Sequence, residues 1–144
     1  MRIRDILRTK GATVISVGPD QPVLSAVRVL AERRIGAVVV RRGDELLGIL
    51  SERDVLNLAA GDPARLETAP VADVMTTDLI VGRPDDELNH VMNVMTENRI
   101  RHLPIVVDGA LEGIVSIGDI VNAVRRSVES ENRHLKDYIH GVAG

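Results

Sequence analysis

The sequence predicts a mixed α/β fold (α+β) of two pseudo-symmetric β-α-β-β-α units packed through their sheets, plus an extended C-terminal helix. Three observations predict it: the chain repeats itself at an offset of 65 residues, each copy alternates short apolar runs with amphipathic segments, and the apolar residues are aliphatic. Of 144 residues, 44% are hydrophobic, yet the only aromatic side chain is Tyr138. Val, Ile, Leu, Ala and Met must therefore build the core.

The repeat aligns residues 14–57 with residues 79–122 without a gap. Identical pairs occur along its length: Pro19/Pro84, Asp20/Asp85, Glu32/Glu97, Arg34/Arg99, Ile35/Ile100, Leu46/Leu111, Gly48/Gly113, Ile49/Ile114, Ser51/Ser116, Asp54/Asp119 and Asn57/Asn122. Upstream, residues 3–7 resemble residues 71–75 after a three-residue slip. Two copies are too few for a solenoid. Since one unit of about 55 residues has a marginal core, we expect the two to pack as a closed pair.

Each copy predicts the same series of elements. A short apolar strand comes first, at residues 13–17 and 79–81, and Pro-Asp then opens a helix. Apolar residues recur in the helical pattern i, i+3, i+4, i+7: Val23, Ala26, Val27 and Leu30, then Leu88, Val91, Met92 and Met95. Two strands joined by a turn follow, at residues 37–40 and 46–50, then 103–107 and 111–115. Ser-x-x-Asp then starts another helix in each copy.

The predicted domain organisation is one unit over residues 1–59, a linker at 60–70, a second unit at 71–125 and a helical extension at 126–144. From Ile117 to about Ile139 only Gly118 interrupts a helical pattern. Val121, Val124, Val128, Leu135 and Tyr138 follow a rough heptad. This helix either folds back on its own module or packs across a dimer. We favour the dimer, because one unit does not need this length for its own core.

Composition and charge exclude several function classes. A net charge of −3 argues against binding duplex DNA or an anionic membrane. Without aromatic platforms, base stacking on single strands is excluded. The absence of cysteine excludes disulfides, zinc–thiolate sites and cysteine nucleophiles. No apolar run approaches the length of a membrane span. The charged N-terminus lacks the apolar region of a signal peptide, so we expect a cytoplasmic protein.

Two motif segments in each copy resemble the tandem CBS-domain family. They are residues 101–106 (RHLPIV) and 113–119 (GIVSIGD) in the second copy, and 35–40 (IGAVVV) and 48–54 (GILSERD) in the first. The resemblance covers roughly residues 1–125 and is closest to small stand-alone bacterial members. It implies a Bateman module: two units back to back, with two clefts that bind adenosine-containing molecules such as AMP, ADP, ATP, NAD(H) or S-adenosylmethionine. It also implies a homodimer.

The Ser-x-x-Asp pairs, Ser51/Asp54 and Ser116/Asp119, are the first candidate site. Each Ser can cap the helix that follows, and a helix N-terminus suits a phosphate. The acceptor oxygens of an Asp one turn later can take both hydroxyls of a ribose. The alternative is a capping arrangement with an acid at its third position. Within the CBS resemblance, we favour ribose binding for at least one pair.

Basic residues make the two copies unequal. Arg101 and His102 stand before one strand, where the resemblance implies contact with ligand phosphates. Gly36 and Ala37 occupy the matching positions in the first copy and would let a flat adenine or a second nucleotide approach closely. Arg53 has no counterpart, because Gly118 replaces it, and a cation in a first helical turn suits an anion. The alternatives are solvated arginines and a packed histidine. The remaining candidates are Ile15 and Ile80, which could offer backbone groups to the base or simply pack in the core, and the motif residues Ile35 and Pro104.

The sequence supports no catalytic group and no catalytic cofactor. The four histidines show no metal-ligand spacing, and nothing groups a nucleophile with a base. The leading hypothesis is a regulatory module that senses an adenine nucleotide and signals to an effector protein of unknown identity. The alternative is a dimeric interaction scaffold with degenerate clefts. A nucleotide hydrolase is the weakest, since no constellation of residues supports it.

Overall fold

The computed structural model describes residues 1–11 and 13–139, and the side-chain surroundings of residues 1–11 and 13–132. The elements are α1 (Ile3–Lys10), β1 (Ser16–Val17), α2 (Val23–Arg33), β2 (Ala37–Arg42), β3 (Glu45–Ser51), α3 (Glu52–Gly61), α4 (Arg65–Thr68), α5 (Val71–Val74), α6 (Leu88–Asn98), β4 (His102–Val107), β5 (Ala110–Ser116) and α7 (Ile117–Ile139). The predicted mixed α/β fold with an extended C-terminal helix is confirmed.

The five strands form one sheet in the order β1-β2-β3-β5-β4. Two antiparallel hairpins, β2–β3 and β4–β5, carry the repeat. Each register slips at the same repeat position, between Val40 and Arg41 and between Ile105 and Val106. The hairpins join where Glu45 of β3 pairs with Ala110 of β5. The strand-to-helix corners that hold the two Ser-x-x-Asp pairs are therefore similar in backbone structure.

The first strand of each copy is shorter than predicted. In the first copy, β1 begins at Ser16 and pairs in parallel with β2. In the second, no strand forms over residues 79–81, and a single parallel bridge lies one residue later, between Gly82 and Ile105. A side chain on Gly82 would come within 2.8 Å of Leu103. Glycine thus permits the close approach to β4 that an apolar run alone did not predict.

The helices α1 and α5 each pack on the unit that is distant in sequence. In α1, the amide of Ile3 donates to the carbonyl of Asp86 (3.0 Å) and the amide of Arg4 to the carbonyl of Pro84 (2.9 Å). In α5, the amide of Val71 donates to the carbonyl of Gln21 (2.8 Å). Each helix lies over a strand glycine: Leu7 of α1 over Gly113, and Met75, just after α5, over Gly48. The chain thus exchanges these helices between its two halves.

Most of the buried residues form two aliphatic clusters, the first completed by α5 and the second by α1. The first cluster contains Val17, Val23, Ala26, Leu30, Val38, Val40, Leu50, Ala69 and Val71. The second contains Ile3, Ile6, Leu88, Val91, Met95, Leu103, Ile105, Val115, Ile120 and Ala123. The stretch expected as a linker contributes Ala69 to the first cluster and includes the short helix α4. The core is therefore aliphatic, as the composition predicts.

The helix α7 runs from Ile117 to Ile139, as predicted. Its first turns pack on the second cluster through Ile120 and Ala123, while Val121 (48%) and Val128 (49%) stay exposed. The predicted heptad positions Leu135 and Tyr138 lie outside the part whose side chains are described. Among the residues that the structure describes, no helix is both long and apolar enough to cross a membrane.

Candidate functional site

Both Ser-x-x-Asp pairs lie where a strand ends and a helix begins, and both form a capping arrangement. The amide of Asp54 donates to Ser51 Oγ (3.2 Å) and the amide of Ser51 donates to Asp54 Oδ2 (2.9 Å). In the second copy, the amide of Asp119 donates to Ser116 Oγ (3.1 Å) and the amide of Ser116 donates to Asp119 Oδ2 (2.9 Å). These contacts occupy one oxygen of each carboxylate and fix its orientation. Helix capping therefore still leaves Oδ1 of each carboxylate for a further contact.

Around Asp54, the further contact is a neutral hydroxyl. Thr76 Oγ1 lies 3.2 Å from Oδ1 and 3.3 Å from Oδ2 of Asp54. The backbone of Thr76 is anchored to β3 by two hydrogen bonds with Ile49 (2.8 and 3.0 Å). Beside it lies an open groove of about 440 Å³, lined by Asp54, Asn57, Leu58, Gly61, Asp62, Arg65, Asp73 and Val74. We call this region the Asp54 site; three of its side chains are acidic and one is basic.

Around Asp119, the further contact is a cation. Lys10 Nζ, at the end of α1, donates to Asp119 Oδ2 at 2.7 Å and to the carbonyl of Ile114 at 2.8 Å. Burial raises the pKa of Asp119, but the hydrogen bonds from Lys10 and Ser116 outweigh it, so the pKa lies below its ordinary value. Asp119 therefore stays ionised at neutral pH. We call the group Lys10, Arg101, His102, Ser116 and Asp119 the Asp119 site.

His102 connects the Asp119 site with the other unit. It is the first residue of β4 and pairs with Ser116 across the hairpin. A Cβ atom built on Gly36 would lie 3.6 Å from His102 Cε1 and 3.8 Å from Glu52 Oε1. The space above Gly36, which we expected to receive adenine, is thus bordered by the imidazole and by a carboxylate. His102 therefore lies against the residue that precedes β2 and against the first residue of α3.

The pKa of His102 is lowered, first by burial and then by the positive charges of Lys10 and Arg101. The negative charges of Asp119 and Glu52 raise the pKa of His102, but they do not offset the lowering. His102 is therefore mainly neutral at pH 7. An anion that entered the site would reverse the effect of the two cations and would favour the imidazolium form.

Arg101 is exposed, and its carbonyl accepts the amide of Ile117 at the start of α7 (2.8 Å). The amide of Glu52 donates in the same way to the carbonyl of Gly36 (3.0 Å). This shared bond ties each strand entrance to a helix N-terminus. The structure therefore brings Arg101 and His102 together with Ser116 and Asp119, as the spacing of the motif suggests.

The other predicted site residues are more scattered. Ile15 and Ile35 are half-buried and pack on the first cluster. Ala37 and Pro104 are buried within their strands, Ile80 is 37% exposed, and Arg53 is exposed in the first turn of α3. These positions support core packing for Ile15 and Ile35.

Three residues that sequence reasoning missed complete the two sites: Lys10, Glu52 and Thr76. Lys10 and Asp119 are 109 positions apart, so no local motif predicts their contact. Thr76 follows α5 and meets Asp54 because α5 packs on the first unit, which no local pattern in the sequence predicts. Within the described residues, no group of three or more His, Cys, Asp or Glu side chains is arranged to hold a metal ion.

Comparison with known proteins defines the family. The sequence profile of the CBS domain matches twice, at residues 3–61 and 71–126. The chain belongs to the CBS-domain family. It is 34% identical to the CBS domain-containing protein YhcV of Bacillus subtilis, over 96% of this chain and 95% of that protein. CBS-domain pairs are generally regulatory rather than catalytic, and no catalytic family is indicated for the whole chain.

Solved CBS structures share the fold. The crystal structure of the CBS-domain containing protein ATU1752 from Agrobacterium tumefaciens matches with a TM-score of 0.80 and 37% identity, over 85% of this chain and 98% of that one. The CBS domain pair of protein MJ0100, in complex with 5-methylthioadenosine and S-adenosyl-L-methionine, matches with a TM-score of 0.75 and 22% identity, over 88% of this chain and 98% of that one. This second likeness supports the fold alone.

Proposed function

We propose that this CBS pair is a regulatory module that binds an adenosine-containing nucleotide and passes a conformational signal to an effector protein. One observation carries the proposal: Asp119 is paired with Lys10 and lies close to His102, in a site bordered by both units, and Arg101 precedes His102 in the chain. An ionised carboxylate is the acceptor that a ribose diol needs, and three basic groups offer a phosphate its donors. AMP, ADP, ATP and NAD(H) combine both features.

The position of His102 supports the signalling part of the proposal. Its imidazole faces Gly36 and Glu52 of the first unit, whereas its backbone belongs to β4 of the second. A phosphate bound to His102 changes the charge and packing at this contact. A ligand that prefers one arrangement of the units then shifts the population of conformers, which an effector protein can read. The adenosine ligands of MJ0100 agree with this ligand class.

Isothermal titration calorimetry with AMP, ADP, ATP, NAD, NADH and S-adenosylmethionine tests the proposal. We expect at least one adenine nucleotide to bind, and Asp119→Asn to weaken it by about tenfold or more, as expected for the loss of charged hydrogen bonds. Glu112→Gln is the matched control, because Glu112 is an exposed acid on the neighbouring strand β5. No binding of any of these compounds at millimolar concentration would contradict the proposal.

The exposed side of α7 favours a second candidate, a dimeric interaction scaffold. Val121 and Val128 are seven residues apart and about half exposed, so they lie on one side of the helix, as in a helix-pairing seam. Removal of residues 127–144 should then change the oligomer measured by light scattering. If the protein is a scaffold rather than a sensor, adding nucleotide should not raise the melting temperature, and Asp54→Ala and Asp119→Ala should not alter this lack of response, because no nucleotide binds at either site.

A further inference from the structure

Lys10 occupies one of the two Asp119 oxygens that a ribose diol would use in the proposed function. Its ammonium group contacts Asp119 Oδ2 at 2.7 Å, and the same oxygen accepts the amide of Ser116 at 2.9 Å. A carboxylate oxygen has about two lone-pair sites, so Oδ2 is already saturated. Among the described contacts of Asp119, Oδ1 accepts none. A diol that uses both oxygens must therefore displace Lys10 from Oδ2.

From this arrangement we infer that Lys10 determines the ligand specificity of the Asp119 site, selecting adenosine ligands that carry a phosphate over uncharged nucleosides. The inference rests on the proposed function. An uncharged nucleoside that displaces the ammonium group offers no anion in return. A nucleotide offers a phosphate, to which Lys10 can turn while it keeps its bond to the carbonyl of Ile114 (2.8 Å).

The Asp54 site provides an internal contrast. There the competing donor is the hydroxyl of Thr76, which carries no charge and can rotate away from the carboxylate without leaving an ion unpaired. The adjoining groove contains Asp62 and Asp73 but only one basic residue, Arg65. This site lacks a cation equivalent to Lys10 among its described lining residues. Selection for a phosphate by ion exchange is therefore specific to the Asp119 site.

The test compares AMP and adenosine by calorimetry in an Asp54→Asn background, which confines ribose binding to the Asp119 site. We expect the parent protein to bind AMP at least tenfold more tightly than adenosine. In Lys10→Gln, AMP should bind about tenfold more weakly, because a charged donor is lost, while adenosine should bind more tightly, because the carboxylate is released. These opposite changes distinguish specificity from a structural role, which would weaken both ligands.

Two variants complete the test. Arg8→Gln, on the same helix, removes an exposed charge whose nearest acid is Asp5 at 4.0 Å, and should change neither affinity. Lys10→Arg keeps the charge and should preserve the preference for AMP. Parallel weakening of both ligands in Lys10→Gln, or an unchanged ratio, would overturn the inference while the proposed function stands. A parent protein that binds neither ligand, with other adenine nucleotides equally silent, would overturn both.

Discussion

Lys10 Nζ and Asp119 Oδ2 lie 2.7 Å apart although the two residues are 109 positions apart in the sequence. This pair joins the first helix of the chain to the N-terminus of the last one. It also explains why the pKa of Asp119 is low although the side chain is partly buried: burial raises the pKa, and the hydrogen bonds from Lys10 and Ser116 lower it by more. Stability and the proposed ligand binding therefore depend on the same contact.

The pH dependence of this ion pair is the first prediction. The pKa of Asp119 is lower in the folded than in the unfolded chain, so its stabilisation is full above the ordinary value of 3.8 and disappears as pH falls through the folded value. We expect Lys10→Gln to lower the free energy of unfolding by about 0.5–1 kcal/mol at pH 7, a small value because solvent screens the half-exposed pair. Urea unfolding between pH 7 and pH 3 measures this. A loss that stays constant down to pH 3 would contradict the assignment to Asp119.

The second prediction concerns His102, whose lowered pKa gives the opposite kind of linkage. Above the ordinary value of 6.5 the imidazole is neutral in both states and contributes nothing. As pH falls through 6.5, the unfolded chain binds a proton that the folded chain resists, so the folded protein loses stability. Wild type should therefore lose stability between pH 7.5 and 5.5, relative to His102→Gln. Parallel stability curves for the two proteins would refute it.

The third prediction is that ligand binding raises the lowered pKa of His102. A phosphate beside the imidazole favours its charged form, so nucleotide binding is expected to take up a proton and to tighten as pH falls from 8 to 6. Calorimetry in two buffers of different ionisation enthalpy counts the protons. His102→Gln is the control and should remove most of the uptake. An uptake that persists in this variant would place the proton elsewhere.

The fourth prediction compares two equivalent glycines. A Cβ atom on Gly48 would lie 2.8 Å from the carbonyl oxygen of Thr76, which is backbone, whereas on Gly113 it would meet the end of the Leu7 side chain at 2.7 Å. Since a leucine tip can rotate and a backbone bonded to Ile49 cannot, we expect Gly48→Ala to cost about 2 kcal/mol of unfolding free energy, and Gly113→Ala less than about 1. Chemical denaturation measures both. Equal losses would mean that α1 is as rigidly held as the segment after α5.

The architecture was predictable from the sequence because its signals are local and occur twice. The repeat, the helical spacing from Val23 to Leu30 and the Ser-x-x-Asp corners each depend on neighbouring residues. The same locality explains what was missed. Residues 3–7 and 71–75 have similar apolar patterns, and a pattern specifies a buried face without specifying which core receives it. The exchange of α1 and α5 was therefore not predictable, nor was the arrival of Lys10 at Asp119.

The exchange of helices leads to the last prediction. Ile3 of α1 is fully buried in the second cluster, and Val71 of α5 is fully buried in the first. Ile3→Ala should cost about 2–4 kcal/mol, and Val71→Ala somewhat less, since it removes fewer buried atoms. Because the clusters share no buried residue and the hairpins join through a single residue pair, the loss of stability should be local.

Hydrogen exchange measures where stability is lost. Ile3→Ala should lower protection in α6 and β4, and Val71→Ala should lower it in α2 and β2, as expected for partly independent folding units. If Ile3→Ala instead lowered protection most in α2 and β2, beside its neighbours in sequence, α1 would belong to the first unit and the exchange would be wrong.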